Sequence, residues 1–218
     1  MLTIAIDGPS GVGKSSTAQL LAKKLNILHL NTGALYRAVA VYLLENSINP
    51  QDEKSVENSL NNLNITVSFV KGIQQTLLNE VDITNKLYTS EIGNLSAISS
   101  SYKSVRSKMV QIQRNVAQNN NVVMEGRDIA SNVLPNAKYK FFLTASPEIR
   151  AKRRYNDLIE TGEKISFEEV YNDVISRDEK DTTRTLNPLK ITPDAIVINT
   201  DNLTLDQTVE KIISYIKE

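Results

Sequence analysis

Leu2-Thr3-Ile4-Ala5-Ile6-Asp7-Gly8-Pro9-Ser10-Gly11-Val12-Gly13-Lys14-Ser15 is an apolar run that gives way to glycines and closes on a lysine and a hydroxyl. The first residues read as a buried strand, and Gly8 to Ser15 fits G-x-x-x-x-G-K-[ST]. Ser16 to Leu25 follows with helical spacing, Ala18, Leu21, Ala22 and Leu25 sharing a face. Strand, glycine loop and helix in that order predict a phosphate-binding loop. Glycines let backbone N–H groups converge on phosphate oxygens without a Cβ in the way, and the helix N-terminus adds partial positive charge. Gly8, Pro9, Ser10, Gly11, Val12, Gly13, Lys14, Ser15 and Ser16 are therefore the candidate triphosphate binders. Lys14 is placed to reach the outer phosphates and Ser15 to ligate Mg²⁺.

The chain has 218 residues, enough for a large core built as one domain with insertions. Its 25 basic and 25 acidic residues balance, which speaks against a general nucleic-acid or anionic-membrane binder. With no cysteine there are no disulfides and no thiolate metal sites. No leader-like segment precedes the first strand and no apolar run approaches membrane-spanning length, so a cytoplasmic, soluble protein is expected.

Further along, a short strand is expected at Ile27–Leu30 and a helix from Ala34 to about Glu45. Residues around Val56–Leu63 read as helical. Ile65–Val70 alternates apolar and polar, and Gln75–Glu80 and Val81–Thr84 read as further short extended pieces. Such a meander does not fit an alternating α/β pattern, so residues 64–90 are read as an inserted small β lobe. Helical periodicity covers 91–118, with Met109, Ile112 and Val116 as one stripe. Val122–Met124 is an apolar strand ending in Glu125-Gly126-Arg127-Asp128. Tyr139–Leu143 is another, followed by a basic helix over about 148–160. Ser166 and Glu169 form a capping box for a helix running to about Asp181; Ala195–Asn199 is the last strand and Leu205–Ile216 a closing amphipathic helix. The pattern predicts an α/β, three-layer P-loop fold: an open parallel sheet of about five strands flanked by helices, with a small antiparallel β insertion.

Ligands of such sheets bind beyond the carboxyl ends of the strands. Glu125 stands where a carboxylate steadies Mg²⁺ directly or through water, with Asp7 as an alternative. Arg37, Arg106, Arg127, Arg177 and Arg184 come from five segments, and Arg150, Arg153 and Arg154 lie on one helix. Guanidinium forks pair with phosphate oxygens, so this set suits two anionic substrates. His29, the sole histidine, falls inside a strand and reads as structural.

The motifs Ile6–Ser15, Thr32-Gly33-Ala34-Leu35-Tyr36-Arg37, Val81–Thr84, Gly126-Arg127-Asp128-Ile129, Arg177-Asp178 with Asp181, Arg184 and Pro188-Leu189 resemble those of the bacterial cytidylate kinases, within the P-loop nucleoside monophosphate kinases. The resemblance runs nearly end to end. It implies a single kinase domain over 1–218, with 64–90 on the monophosphate side and a helical lid at 148–165. It implies transfer of the ATP γ-phosphoryl group to CMP or dCMP, with ATP as donor, Mg²⁺ as metal and no nucleic-acid or membrane partner; a monomer is expected. Thr32 and Tyr36 would contact the acceptor. Arg37, Arg106 and Arg127 would hold its phosphate, Asp128 and Arg177 would read cytosine, and Asp181 would hold the sugar, with Arg184 in the same group. Arg150, Arg153 and Arg154 would close over ATP, and Lys14, Arg127 and Arg153 would act on the transferring phosphoryl group. The family usually has aspartate where Asn31 and Glu125 stand, and serine where Ala97 stands, with Ser96 and Ser99 nearby.

Two other kinase readings remain: a P-loop kinase for a different small acceptor (AMP, UMP, shikimate or a coenzyme precursor), and a nucleic-acid 5′-end kinase. A GTPase-like switch would read guanine through Asn-Lys-x-Asp, and Asn85-Lys86-Leu87-Tyr88 lacks the aspartate.

Overall fold

Ile4, Ala5 and Ile6 are wholly buried in β1 (Thr3–Asp7), as a strand covered on both faces requires. The computed structural model describes residues 1–160 and 162–216. Thr161, within the expected lid, and Lys217 and Glu218 lie outside the described residues. After β1 come α1 (Lys14–Leu25), β2 (Leu28–Asn31) and α2 (Thr32–Glu45), then α3 (Glu53–Ser59). The strands β3 (Ile65–Val70), β4 (Ile73–Leu78) and β5 (Val81–Asp82) follow. Next are α4 (Ser90–Ser99), α5 (Lys103–Asn119), β6 (Val122–Gly126) and a π turn at Ile129–Val133. The chain closes with β7 (Tyr139–Thr144), α6 (Pro147–Glu160), α7 (Phe167–Thr183), β8 (Ile196–Asn199) and α8 (Leu205–Ile216).

Five strands form one parallel sheet in the order β2-β6-β1-β7-β8, and β3-β4-β5 form a separate antiparallel sheet. The register pairs Thr144 with Asn199, so β7 and β8 end together, and Asp7 with Phe142, so β7 runs two residues past the end of β1. Among the described residues, no helix is long and apolar enough to cross a membrane.

The chain divides into two compact units. One comprises Leu2–Asn26 and the chain from Val123 on. Here α1 buries Thr17, Ala18, Leu21 and Ala22, and α8 buries Thr208, Val209, Ile212 and Ile213, each at helical spacing. α6 and α7 share a small core of Ala151, Val170 and Val174 with Tyr155, Leu158 and Tyr171. Tyr155 packs edge-on to Phe167 at 6.1 Å. The expected Ser166–Glu169 capping box is present.

The other unit spans Ile27–Val122. Its core is α2, buried nearly all round, against Leu60, Ile65, Leu78, Leu87, Val105 and Met109. Two of the expected limits shift here. The β3–β4 turn is Lys71-Gly72, both at positive φ (51° and 77°), as a two-residue hairpin turn demands. A second such turn at Asn79-Glu80 ends β4 at Leu78, two residues short of the expected limit, and nothing in a glutamate announces it. The helix expected over 91–118 is two helices. Ser100 and Ser101 bond back to the carbonyls of Ala97 and Ile98, the competition by which serines end helices. The buried face of α5 carries Arg106, Met109, Val110, Gln113 and Ala117, while Ile112 and Val116 flank it.

Candidate active site

Gly8 to Ser15 connects β1 to α1 in a conformation that needs glycine: Gly8, Gly11 and Gly13 all have positive φ. At Gly8 an added Cβ would lie 2.2 Å from the Leu143 carbonyl oxygen, so only glycine fits there. The loop's carbonyls are held by the protein: Lys14 Nζ donates to Pro9 O at 2.6 Å, Arg150 Nη1 to Ser10 O at 3.0 Å, and the Thr200 hydroxyl lies 3.5 Å from Val12 O. A trans peptide points its N–H opposite its C=O. The N–H groups of Ser10, Gly11 and Gly13 are therefore turned away from these donors.

Ser15 Oγ donates to Glu125 Oε1 at 2.7 Å. This joins the candidate metal hydroxyl to the carboxylate closing β6, and two hard oxygen ligands side by side fit Mg²⁺. Among the described residues no cluster of three or more His, Cys, Asp or Glu is placed to hold a metal. Asp7, the alternative, is committed elsewhere: its oxygens accept N–H bonds from Ile129 at 2.9 Å and Ala130 at 2.7 Å. It thereby fixes the segment after Arg127-Asp128. Burial pushes its pKa up to about 6 against those bonds. Lys14 is buried as well, and burial first and the Arg127 charge second lower its pKa to about 7.

The residues of this unit expected to hold the two nucleotides form ordered pairs. Arg127 Nε donates to Asp181 Oδ2 at 2.6 Å. Asp128 accepts from Arg184 at 3.3 Å and from Asn132 at 3.0 Å. Arg184 also donates to the Asn187 carbonyl at 2.8 Å. Arg177 pairs with Asp173 at 3.0 Å, and Arg154 reaches the same carboxylate at 3.9 Å. Arg153 donates twice to Thr200, at its hydroxyl and its carbonyl. Arg150, expected over the phosphates, is instead 2% exposed, with all three guanidinium nitrogens bound to protein groups.

In the other unit, Asn31 caps α2 by accepting from Ala34 N at 3.2 Å. Asparagine and aspartate do this equally well, which accounts for the departure at that position. Thr32 is buried at the helix start. Arg106 is buried too, lying over the Tyr36 ring at 5.6 Å and donating to Ser100 O at 3.4 Å. Arg37 lies over Tyr88 at 5.3 Å. On α4, Ala97 faces solvent while Ser96 and Ser99 turn inward.

The cytidylate kinase family model matches residues 4–218. The chain belongs to the cytidylate kinase family. It is 43% identical over 215 residues to a cytidylate kinase of Carboxydothermus hydrogenoformans, covering 99% of this chain and 97% of that one. It is also 43% identical over 216 residues to a cytidylate kinase of Clostridium botulinum, strain Langeland, covering 99% and 98%. In fold it is similar to a shikimate kinase from Bacteroides thetaiotaomicron, with a TM-score of 0.51 at 14% identity over 100% of this chain and 99% of that one. That likeness speaks for the P-loop kinase fold alone.

Two contributors to the site have no role assigned from the sequence. Thr200 holds both the loop and Arg153, and Asp178 holds Arg150. Each carried a weak signal: Thr200 lies in the polar Asn199-Thr200-Asp201 run just past the last strand, and Asp178 sits beside Arg177.

Proposed function

We infer that the protein transfers the γ-phosphoryl group of ATP in line to CMP and dCMP, giving ADP with CDP or dCDP. Membership of the cytidylate kinase family over residues 4–218 carries this reading. The phosphate-loop geometry and the paired arginines and carboxylates support it.

On the donor side, Gly8 to Ser16 cradle the triphosphate, Lys14 faces its outer oxygens, and Arg153 and Arg154 cover it. Arg150 serves the same side through the loop. Mg²⁺ would be held by Ser15, with Glu125 acting through water, and when bound it neutralises charge on the phosphate oxygens. The acceptor phosphate is assigned to Arg37, Arg106 and Arg127 and its sugar to Asp181; Thr32, Tyr36, Asp128, Arg177 and Arg184 read the nucleoside. Cytosine presents an amino donor beside a ring acceptor, and a carboxylate with a guanidinium, here Asp128 with Arg177, suits that edge. The attacking phosphate oxygen is already anionic, so no general base is needed and positioned positive charge supplies the catalysis. Closure of the lid at 148–165 and of the insertion at 64–90 excludes water that would otherwise hydrolyse ATP. We place the enzyme in the cytoplasm, acting as a monomer on free nucleotides rather than on nucleic acid or membrane.

Protein mixed with ATP, Mg²⁺ and CMP should yield ADP and CDP in equal amounts by anion-exchange chromatography. ADP without CDP, or no turnover at all, would overturn the reading.

A further inference from the structure

Arg150 sits in the first turn of α6 with its charge wholly spent on protein partners. Nε donates to Ala145 O at 3.0 Å, Nη1 to Ser10 O and Asp178 Oδ1 at 3.0 Å each, and Nη2 to Asp178 Oδ2 at 2.5 Å. The loop lies close to this turn: a Cβ on Gly11 would be 3.1 Å from the Arg150 carbonyl oxygen. Asp178 and Asp181 are three residues apart on α7, hence neighbours on its surface. Asp178 is bound through Arg150 to the donor loop, and Asp181 holds Arg127 of the acceptor side. A two-pronged guanidinium–carboxylate pair fixes both distance and orientation, which a single bond would not.

We propose that Arg150 is a positioning residue linking the donor loop at Ser10 to the acceptor-side helix at Asp178, so that triphosphate and CMP binding are coupled through this pair. This rests on the function proposed above. A part-buried pair that only stabilised the fold would leave the two ligands independent of it.

The test is the dissociation constant of CMP, measured calorimetrically with and without a saturating non-hydrolysable ATP analogue and Mg²⁺, for wild type, Asp178→Asn and Arg150→Lys. In wild type the analogue is expected to tighten CMP binding by about fivefold or more. In both variants that ratio should fall below about twofold, with Asp178→Glu recovering part of the ratio. Thermal unfolding reports on the fold, and if Arg150→Lys does not fold, the isosteric Asp178→Asn decides. A ratio unchanged in the variants, even with a lowered Tm, overturns the proposal, as does a wild-type ratio of one. Wild type that forms CDP normally while showing either result removes this inference alone; wild type that binds no CMP removes the proposed function with it.

Discussion

Binding of an ATP analogue should pull a proton from solvent onto Lys14. Its Nζ is buried against the Pro9 carbonyl at 2.6 Å. Burial, and then the nearby Arg127 charge, lower its pKa from 10.5 to about 7. At pH 8 a group of that pKa is charged in about one molecule in eleven. Triphosphate oxygens favour the charged form and carry the pKa back up. Uptake should therefore be about 0.5 proton per molecule bound at pH 7, about 0.9 at pH 8 and close to 1 at pH 9. Terminal phosphates, with a second pKa of about 6, have little proton left to release above pH 7. Because the neutral fraction must be charged before binding, affinity should weaken by about fiftyfold from pH 7 to pH 9. Ligand-free protein should show the mirror effect. The folded Lys14 carries fewer protons than the unfolded chain between about pH 7 and 10.5, so stability rises with pH across that window. Calorimetry at pH 8 in buffers of different ionisation enthalpy gives the proton count as a slope. A slope of zero with affinity flat from pH 7 to pH 9 would refute the reasoning.

The loop glycines should differ in tolerance. Gly8→Ala drives a Cβ into the Leu143 carbonyl at 2.2 Å and should cost about 3–5 kcal/mol, a Tm drop of about 10 °C or more. Gly13→Ala meets no atom within 4 Å and should cost only the left-handed backbone penalty of about 1–2 kcal/mol; equal Tm losses would contradict this. Glu125→Gln weakens the partner of Ser15 and should raise the Mg²⁺ concentration for half-maximal turnover by about tenfold or more, against an unchanged Mg²⁺ profile if Glu125 has no part in metal binding. Asp181→Asn removes the charge that holds Arg127 at 2.6 Å. The loss of about 1.5–3 kcal/mol should appear as a raised KM for CMP with KM for ATP moved far less, and an equal rise in both would contradict it.

What could be read from the sequence was local and periodic. β1, the loop and α1 were legible because a buried strand, three glycines and a helical stripe follow one another within twenty-five residues. The Ser166–Glu169 cap was legible for the same reason, its whole mechanism lying within four residues. What escaped was set by contacts distant in sequence or by turns lacking their usual residues. Asn79-Glu80 turns without a glycine, and α4 and α5 part at serines rather than at a proline. Asp7 and Glu125 are both carboxylates at strand ends, and nothing local tells which one faces Ser15. Only the fold, which brings backbone N–H groups at 129 and 130 onto Asp7, separates them. The neighbours Arg153 and Arg154 make Arg150 look like a lid residue, whereas its partners Asp178 and Ser10 lie 28 and 140 residues away.

Side-by-side kcat/KM values for CMP, dCMP, UMP and AMP, taken from ADP release at fixed ATP and Mg²⁺, show whether the enzyme phosphorylates cytidine monophosphates in particular. CMP and dCMP should rank first, UMP below them, and AMP lower by at least about a hundredfold, since a polar edge left unpaired against Asp128 and Arg177 forfeits its hydrogen bonds. AMP or UMP used as well as CMP, or release of ADP indifferent to any of the four, would contradict it.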